Sequence, residues 1–183
     1  MLRHPLIRVL LAALASYLWG MVFWGFNPLP YTTWKHAVDD EAAGAAIAKH
    51  FPETGTYYFP GMYLEEEERT RLHERGPVGF VHVTAHEGRP IMDPSIMVLG
   101  FVLTLGVAAV LAWLLRQAAP ALPSYGRRVG FIAVAGFAAS LAIHIGDHVW
   151  WLIAIEWKLY QAFYETVSWT LMGAVLAADS SDS

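Results

Sequence analysis

The sequence predicts an all-α membrane protein: a four-transmembrane-helix bundle with a small extracytoplasmic α+β insert between the first and second helices. Three observations lead there. The chain of 183 residues is 56% hydrophobic and only 15% charged, more apolar and less charged than a soluble domain of this size. Apolar stretches of roughly 20 residues, the length that crosses a bilayer, occur four times. The chain also carries 8 Trp, 8 Tyr and 9 Phe, a composition suited to membrane interfaces, where amphipathic rings settle.

The first span falls within residues 1–26 and reads "LIRVLLAALASYLWGMVFWGF". A cleaved signal peptide is its rival, because "MLRHPLIRVLLAALAS" has a basic start and an Ala-rich end. Arg8 interrupts the apolar region early, and apolar residues continue well past Ala15, so an uncleaved helix is the reading adopted. Residues 27–93 form the insert. "DDEAAGAAIAKHF" opens on Asp39 or Asp40 as N-cap and reads as a short helix. "GTYYFP" reads as a strand between Gly55 and Pro60. "YLEEEERTRLHERG" reads as a helix ending at Gly76-Pro77, with Glu67 four residues before Arg71. "VGFVHVTAHEG" alternates, placing Phe80, His82, Thr84 and His86 on one face and Val81, Val83 and Ala85 on the other. Two such strands can pair as a ribbon.

The second span covers residues 94–116, opened by Asp93 as N-cap and Pro94 at the first helical position. Residues 117–128, with two prolines and a glycine, make a loop. The third span covers 129–155 and the fourth 156–178, joined by a tight turn near Glu156-Trp157, and 179–183 form an acidic tail. Arg3, Arg8, Arg116, Arg127 and Arg128 cluster at one end of the spans, which places both termini in the cytoplasm of a bacterial inner membrane and the insert outside. Gly100, Thr104, Ala108 and Ala112 recur at every fourth position on the second span, as Ala12, Ser16 and Gly20 do on the first. Small residues at that spacing let helices approach closely, within the chain, against a second copy or against a protein partner.

Polar groups inside the third span raise the functional question. "HIGDHVWW" places His144, Asp147 and His148 about 24–30 Å along the helix from Arg128, near the outer boundary of a hydrocarbon layer about 30 Å thick. A turn at Glu156-Trp157 sets His148 level with Glu165 and Asp147 close to Thr166. Ser140 lies one turn below His144, with Tyr164 and Ser168 at similar depth on the facing helix. Ionisable groups there are costly unless paired. One reading is a His–carboxylate network that holds the hairpin together. The others are a proton-linked or small-ligand site on His144, Asp147, His148, Glu165, Tyr164 and Ser140, or a metal ion on His144, His148 and Glu165. Bis-His haem ligation lacks a histidine at matching depth on another span, since His4 sits at the opposite end. On the strand, His82 and His86 are about 13 Å apart, too far to share an ion unaided.

No cysteine is present, which excludes disulfides and thiol chemistry. A net charge of -4 gives no support to nucleic-acid binding. No Ser-His-Asp arrangement, P-loop or dinucleotide fingerprint appears. No cofactor is predicted, a metal ion being the alternative. The partners expected are the lipid bilayer and a protein partner or second copy. The function expected is a non-enzymatic accessory or scaffold subunit. The alternative is a ligand-, proton- or metal-handling membrane protein.

The motifs "LWGMVFWG", "LPYTTWKHAVDDEAAGAAIAKHF", "GTYYFPG", "GPVGF" and "SWTLMGAVLAA" give the chain a resemblance to a family of small bacterial four-span membrane proteins of uncharacterised function. The resemblance implies the four-span layout with an outer insert. It implies no activity, and it carries no site residue.

Overall fold

Three helices are long and apolar enough to cross a membrane: Pro5–Phe26, Pro94–Ala121 and Tyr125–Trp151, with mean hydropathies of 1.9, 2.5 and 2.0. They belong to a computed structural model that describes residues 4–178. Arg3 and the tail 179–183 lie outside the described residues. The chain divides into two units, the described parts of Met1–Lys35 with Pro94–Ser183, and His36–Asp93.

In the first unit, α1 (Pro5–Gly20) starts on a proline whose fixed φ suits the first helical position, and it widens into a π-helical turn over Met21–Phe26. A 3-10 turn, Leu29–Thr33, follows. Asp93–Pro94 opens the next long helix, Pro94–Ala118, which a 3-10 turn at Ala119–Ala121 extends around Pro120. Ser124 then caps Tyr125–Ser140, its Oγ accepting from the Arg127 N–H. A second π turn, Leu141–Ile145, carries that helix into Gly146–Trp151. The last helix is Ile155–Ala177.

The membrane character of the first three is visible on their outer faces. Only 17% of the most apolar stretch of Pro94–Ala121 is buried within the chain. Val98, Leu99, Val102, Leu103 and Val110 are all more than half exposed. A row of such side chains is stable in lipid and costly in water.

The last helix is built differently. It is the helix on which the others converge, packing against Tyr125–Ser140, α1 and Pro94–Ala118. Its buried residues include Lys158 and Ser168 beside Met172, Gly173, Leu176 and Ala177. With its polar groups turned inward, it does not reach the hydropathy of the other three. Two glycines let it approach its hairpin partner. A Cβ on Gly136 would stand 2.5 Å from the Trp169 side chain, and one on Gly173 would stand 2.9 Å from Ile132. The core gathers Ala12, Ala13, Ala108, Leu111, Leu115 and Ile132 with Met172, Leu176 and Ala177. Of the small residues of the first two spans, Ala12 and Ala108 are buried in this core, Gly100 lies against Tyr17 of α1, and Gly20 lies against Tyr164 of the last helix.

The hairpin turns earlier than the sequence led us to expect. The third span ends at Trp151, and Leu152–Ala154 connect it to the last helix. Leu152 takes a left-handed conformation, φ 54°, and its N–H bonds the His148 carbonyl at 3.0 Å, closing the helix as a glycine usually does.

The second unit pairs β1 (Gly55–Phe59) with β2 (Gly79–Val83) antiparallel, Gly55 opposite Val83 and Phe59 opposite Gly79. Val81 and Val83 face inward, and Phe80 and His82 outward. The Tyr58 ring packs at a tilt on Phe80 across the strands, and the Thr56 hydroxyl lies 2.6 Å from His82 Nδ1. Phe51, just past the helix Asp40–His50, packs on Tyr57 and Phe59. Asp39 is the N-cap of that helix, accepting from the Ala42 N–H. In Glu66–Arg75 the arginine pairs with Glu68 rather than Glu67, with a two-pronged bond of 2.6 and 2.8 Å. That bond holds the Glu68 carboxyl below the usual carboxylate range.

Candidate functional site

The earlier turn changes which residues meet. His144 Nε2 lies 2.7 Å from Glu165 Oε2, both side chains mostly buried. A carboxylate only accepts, so the His144 Nε2–H donates. Asp147 is opposite Lys158, with Nζ donating to Oδ2 at 2.7 Å. His148 turns to the backbone turn instead, its Nδ1 2.9 Å from the Ile153 carbonyl. The expected level pairs, His148 with Glu165 and Asp147 with Thr166, are therefore replaced by His144 with Glu165 and Asp147 with Lys158. The physical reason is twofold. Moving the turn toward Leu152 slides the last helix along its partner. The π turn at Leu141–Ile145 adds a residue to the helix, so residues four apart no longer stack across it.

Deeper in the hairpin, the Ser140 hydroxyl donates to the Gly136 carbonyl at 2.8 Å, and Thr166 Oγ1 lies 3.1 Å from Ser140 Oγ. Ser140 is thus a satisfied polar link between helices. Tyr164 belongs to the α1 contact. Its ring stacks on Trp19 and packs against Phe23 and Trp24, its hydroxyl sits over Gly20, and its backbone carbonyl accepts from the Trp19 indole.

A cleft of about 470 Å³ lies among α1, the helix Pro94–Ala118, the second π turn and the last helix. One wall is aromatic, from Trp24, Trp157, Tyr164 and Trp169. Leu103, Val107 and Met172 contribute apolar surface, with Ser16 and Thr104 beside them. The polar part is His144, Gln161, Glu165 and Ser168. Three buried side-chain atoms have no hydrogen-bond partner among the described residues: His144 Nδ1, Gln161 Oε1 and Ser168 Oγ. All three belong to residues that line this cleft.

The arrangement offers a ligand both kinds of hydrogen bond. Gln161 Oε1 accepts, while Ser168 Oγ donates or accepts. His144 Nδ1 accepts when the ring is neutral and donates when it is an imidazolium, with Glu165 as the counter-charge in the second case. For metal binding the geometry is unhelpful, since His148 is engaged away from His144 and Glu165. Among the described residues no three His, Asp or Glu side chains gather into a group that would hold an ion.

Gln161 and Lys158 were not singled out from the sequence. Their signal was present: Lys158, Gln161, Glu165, Ser168 and Met172 recur at alternating intervals of three and four, one inward-facing stripe of a helix. Comparison with protein-family models, with curated proteins and with solved structures finds no match to this chain. The resemblance to small four-span membrane proteins rests on the quoted motifs alone.

Proposed function

We propose that this chain is a four-span integral membrane protein of a bacterial inner membrane that binds a small amphipathic molecule in the cleft beside His144 and Glu165. The reading rests on one observation: the three unpartnered buried polar atoms all belong to residues lining a single cleft. Each such group costs about 1–3 kcal/mol when left unmade, and a bound polar group offsets that cost. The aromatic wall favours a ring, and Gln161 Oε1 requires a donor from the ligand. The helix Ile155–Ala177 supplies the fourth span. Its 23 residues reach about 34 Å, and Lys158 and Glu165 face partners inside the bundle. Both termini then lie in the cytoplasm and the insert outside, by the basic residues at one end of the spans.

The accessory-subunit reading, which rests on the absence of catalytic motifs, takes second place because the unpartnered polar atoms gather at one cleft. A test uses a para-alkylphenol, which has one ring, one donor and an apolar tail, against the alkylbenzene that lacks the hydroxyl. Binding is read from the tryptophan fluorescence of the purified protein in detergent. The phenol is expected to bind more tightly than its hydroxyl-free analogue. Ser168→Ala, which removes a hydroxyl with no partner, should leave stability unchanged or slightly raised while weakening the phenol about tenfold. Equal binding of the two probes, or a Ser168→Ala variant that binds as wild type does, sinks the proposal.

A further inference from the structure

The cleft beside His144 and Glu165 is unbalanced in charge. Its lining residues, among those described, include one carboxylate, Glu165, and neither Lys nor Arg. Lys158 and Asp147, the other charged groups of the hairpin, are closed on each other at 2.7 Å and lie outside that lining. Glu165 is mostly buried and accepts from the His144 Nε2–H. A neutral histidine donates that bond without cancelling the charge. With the ring neutral, the lining therefore carries the negative charge of Glu165 and nothing to offset it.

Two further features favour a cation there. Trp24, Trp157, Tyr164 and Trp169 wall the cleft, and Trp24 packs on both Trp157 and Tyr164, with ring centroids 5.4 and 5.2 Å apart. The faces of aromatic rings attract cations, indole most strongly. The unpartnered atoms have the matching polarity. Gln161 Oε1 and the Nδ1 of a neutral His144 only accept, and Ser168 Oγ can accept. Gln161, Glu165 and Ser168 follow at intervals of four and three on one face of the last helix, with the carboxylate between the other two. A protonated amine meets these needs together: positive charge for Glu165, N–H donors for the acceptors, and attraction to the indoles. A carboxylate ligand would repel Glu165, and a neutral hydroxyl would leave its charge uncompensated.

We propose that the occupant of this cleft is an amphipathic primary ammonium, an aromatic ring with an apolar tail and a protonated amine held by Glu165. The proposal rests on the ligand-binding reading of the same cleft and adds the charge of the ligand. The full-length protein in non-ionic detergent at neutral pH is titrated with a para-alkylbenzylamine, the matching para-alkylbenzyl alcohol and the matching para-alkylbenzoate, and binding is read from tryptophan fluorescence. The amine should bind about tenfold more tightly than the alcohol, and the benzoate more weakly than either. Glu165→Gln keeps an acceptor for His144 and removes the charge, so it should erase the amine's advantage over the alcohol. Equal binding of amine and alcohol to the wild-type protein overturns the cationic ligand and leaves the amphipathic-ligand reading standing. Binding of none of the three sinks both. Tightest binding by the benzoate overturns the proposal, as does an amine advantage that survives in Glu165→Gln. Should that variant fail to fold, the three wild-type titrations decide the question.

Discussion

Lys158 shows how much one side chain's surroundings decide its meaning. In the sequence it is the basic residue at the start of the last span. In the structure it is 7% exposed and its ammonium donates to Asp147 across the hairpin. Removing one member of a buried pair leaves the other charge uncompensated, whereas removing both removes the problem. Asp147 is a third exposed, which moderates the effect. Lys158→Ala and Asp147→Ala should each destabilise the protein by about 2 kcal/mol, and the double variant by clearly less than their sum. Unfolding titrations of the four proteins in one detergent measure this, and simple additivity would mean that the two groups do not interact. The pairing was out of reach of the sequence because it depends on where the hairpin turns. What was legible was that His144, Asp147 and Glu165, set in apolar helices, must have partners. The sequence set Glu165 level with His148, whereas the structure pairs it with His144.

At the scale of the element, the turn itself is the informative part. A leucine at φ 54° costs about 1 kcal/mol relative to glycine, because its Cβ crowds the backbone in the left-handed region. Leu152 is 82% exposed, so its side chain returns little through burial within the chain. Leu152→Gly should therefore stabilise the hairpin by about 1 kcal/mol, seen as a higher unfolding midpoint in detergent. A loss of stability would mean that the side chain contributes through lipid contact instead. The sequence concealed this turn because it contains neither Gly nor Pro, the residues that usually mark one. The π turns were hidden for a similar reason. A widened turn keeps the helical composition and changes only the register, so Met21–Phe26 and Leu141–Ile145 read as ordinary helix. Elsewhere the local signals sufficed. Asp93-Pro94 opens a helix, and the alternation in "VGFVHV" gives a strand whose valines face inward.

For the whole molecule, composition carries the argument that three helices are built for lipid, since their exposed faces are leucine, valine and phenylalanine. On the proposed topology the arginines assign the side on which each loop lies, and that assignment is open to direct measurement. With four spans, a cysteine introduced at an exposed position of the insert, such as Val38→Cys, should react with a membrane-impermeant maleimide added to the periplasmic face of spheroplasts. One introduced in the short loop, such as Ala121→Cys, should react only after lysis. The native chain has no cysteine to confuse the result. Labelling of the short loop in intact spheroplasts would reverse the orientation. Labelling of both positions there would leave an odd number of crossings.

On the four-span reading, the polar pairs across the hairpin also bear on how the chain enters the bilayer. On that reading a nascent helix carrying Glu165 and Lys158 would meet the hydrocarbon without its partners, since its predecessor carries His144 and Asp147. The last helix, the less apolar of the two, is the poorer substrate for insertion alone, while together they present two closed pairs. On the four-span reading, these two helices leave the translocon as one unit, and biogenesis waits until Ser168 and the residues behind it have been made.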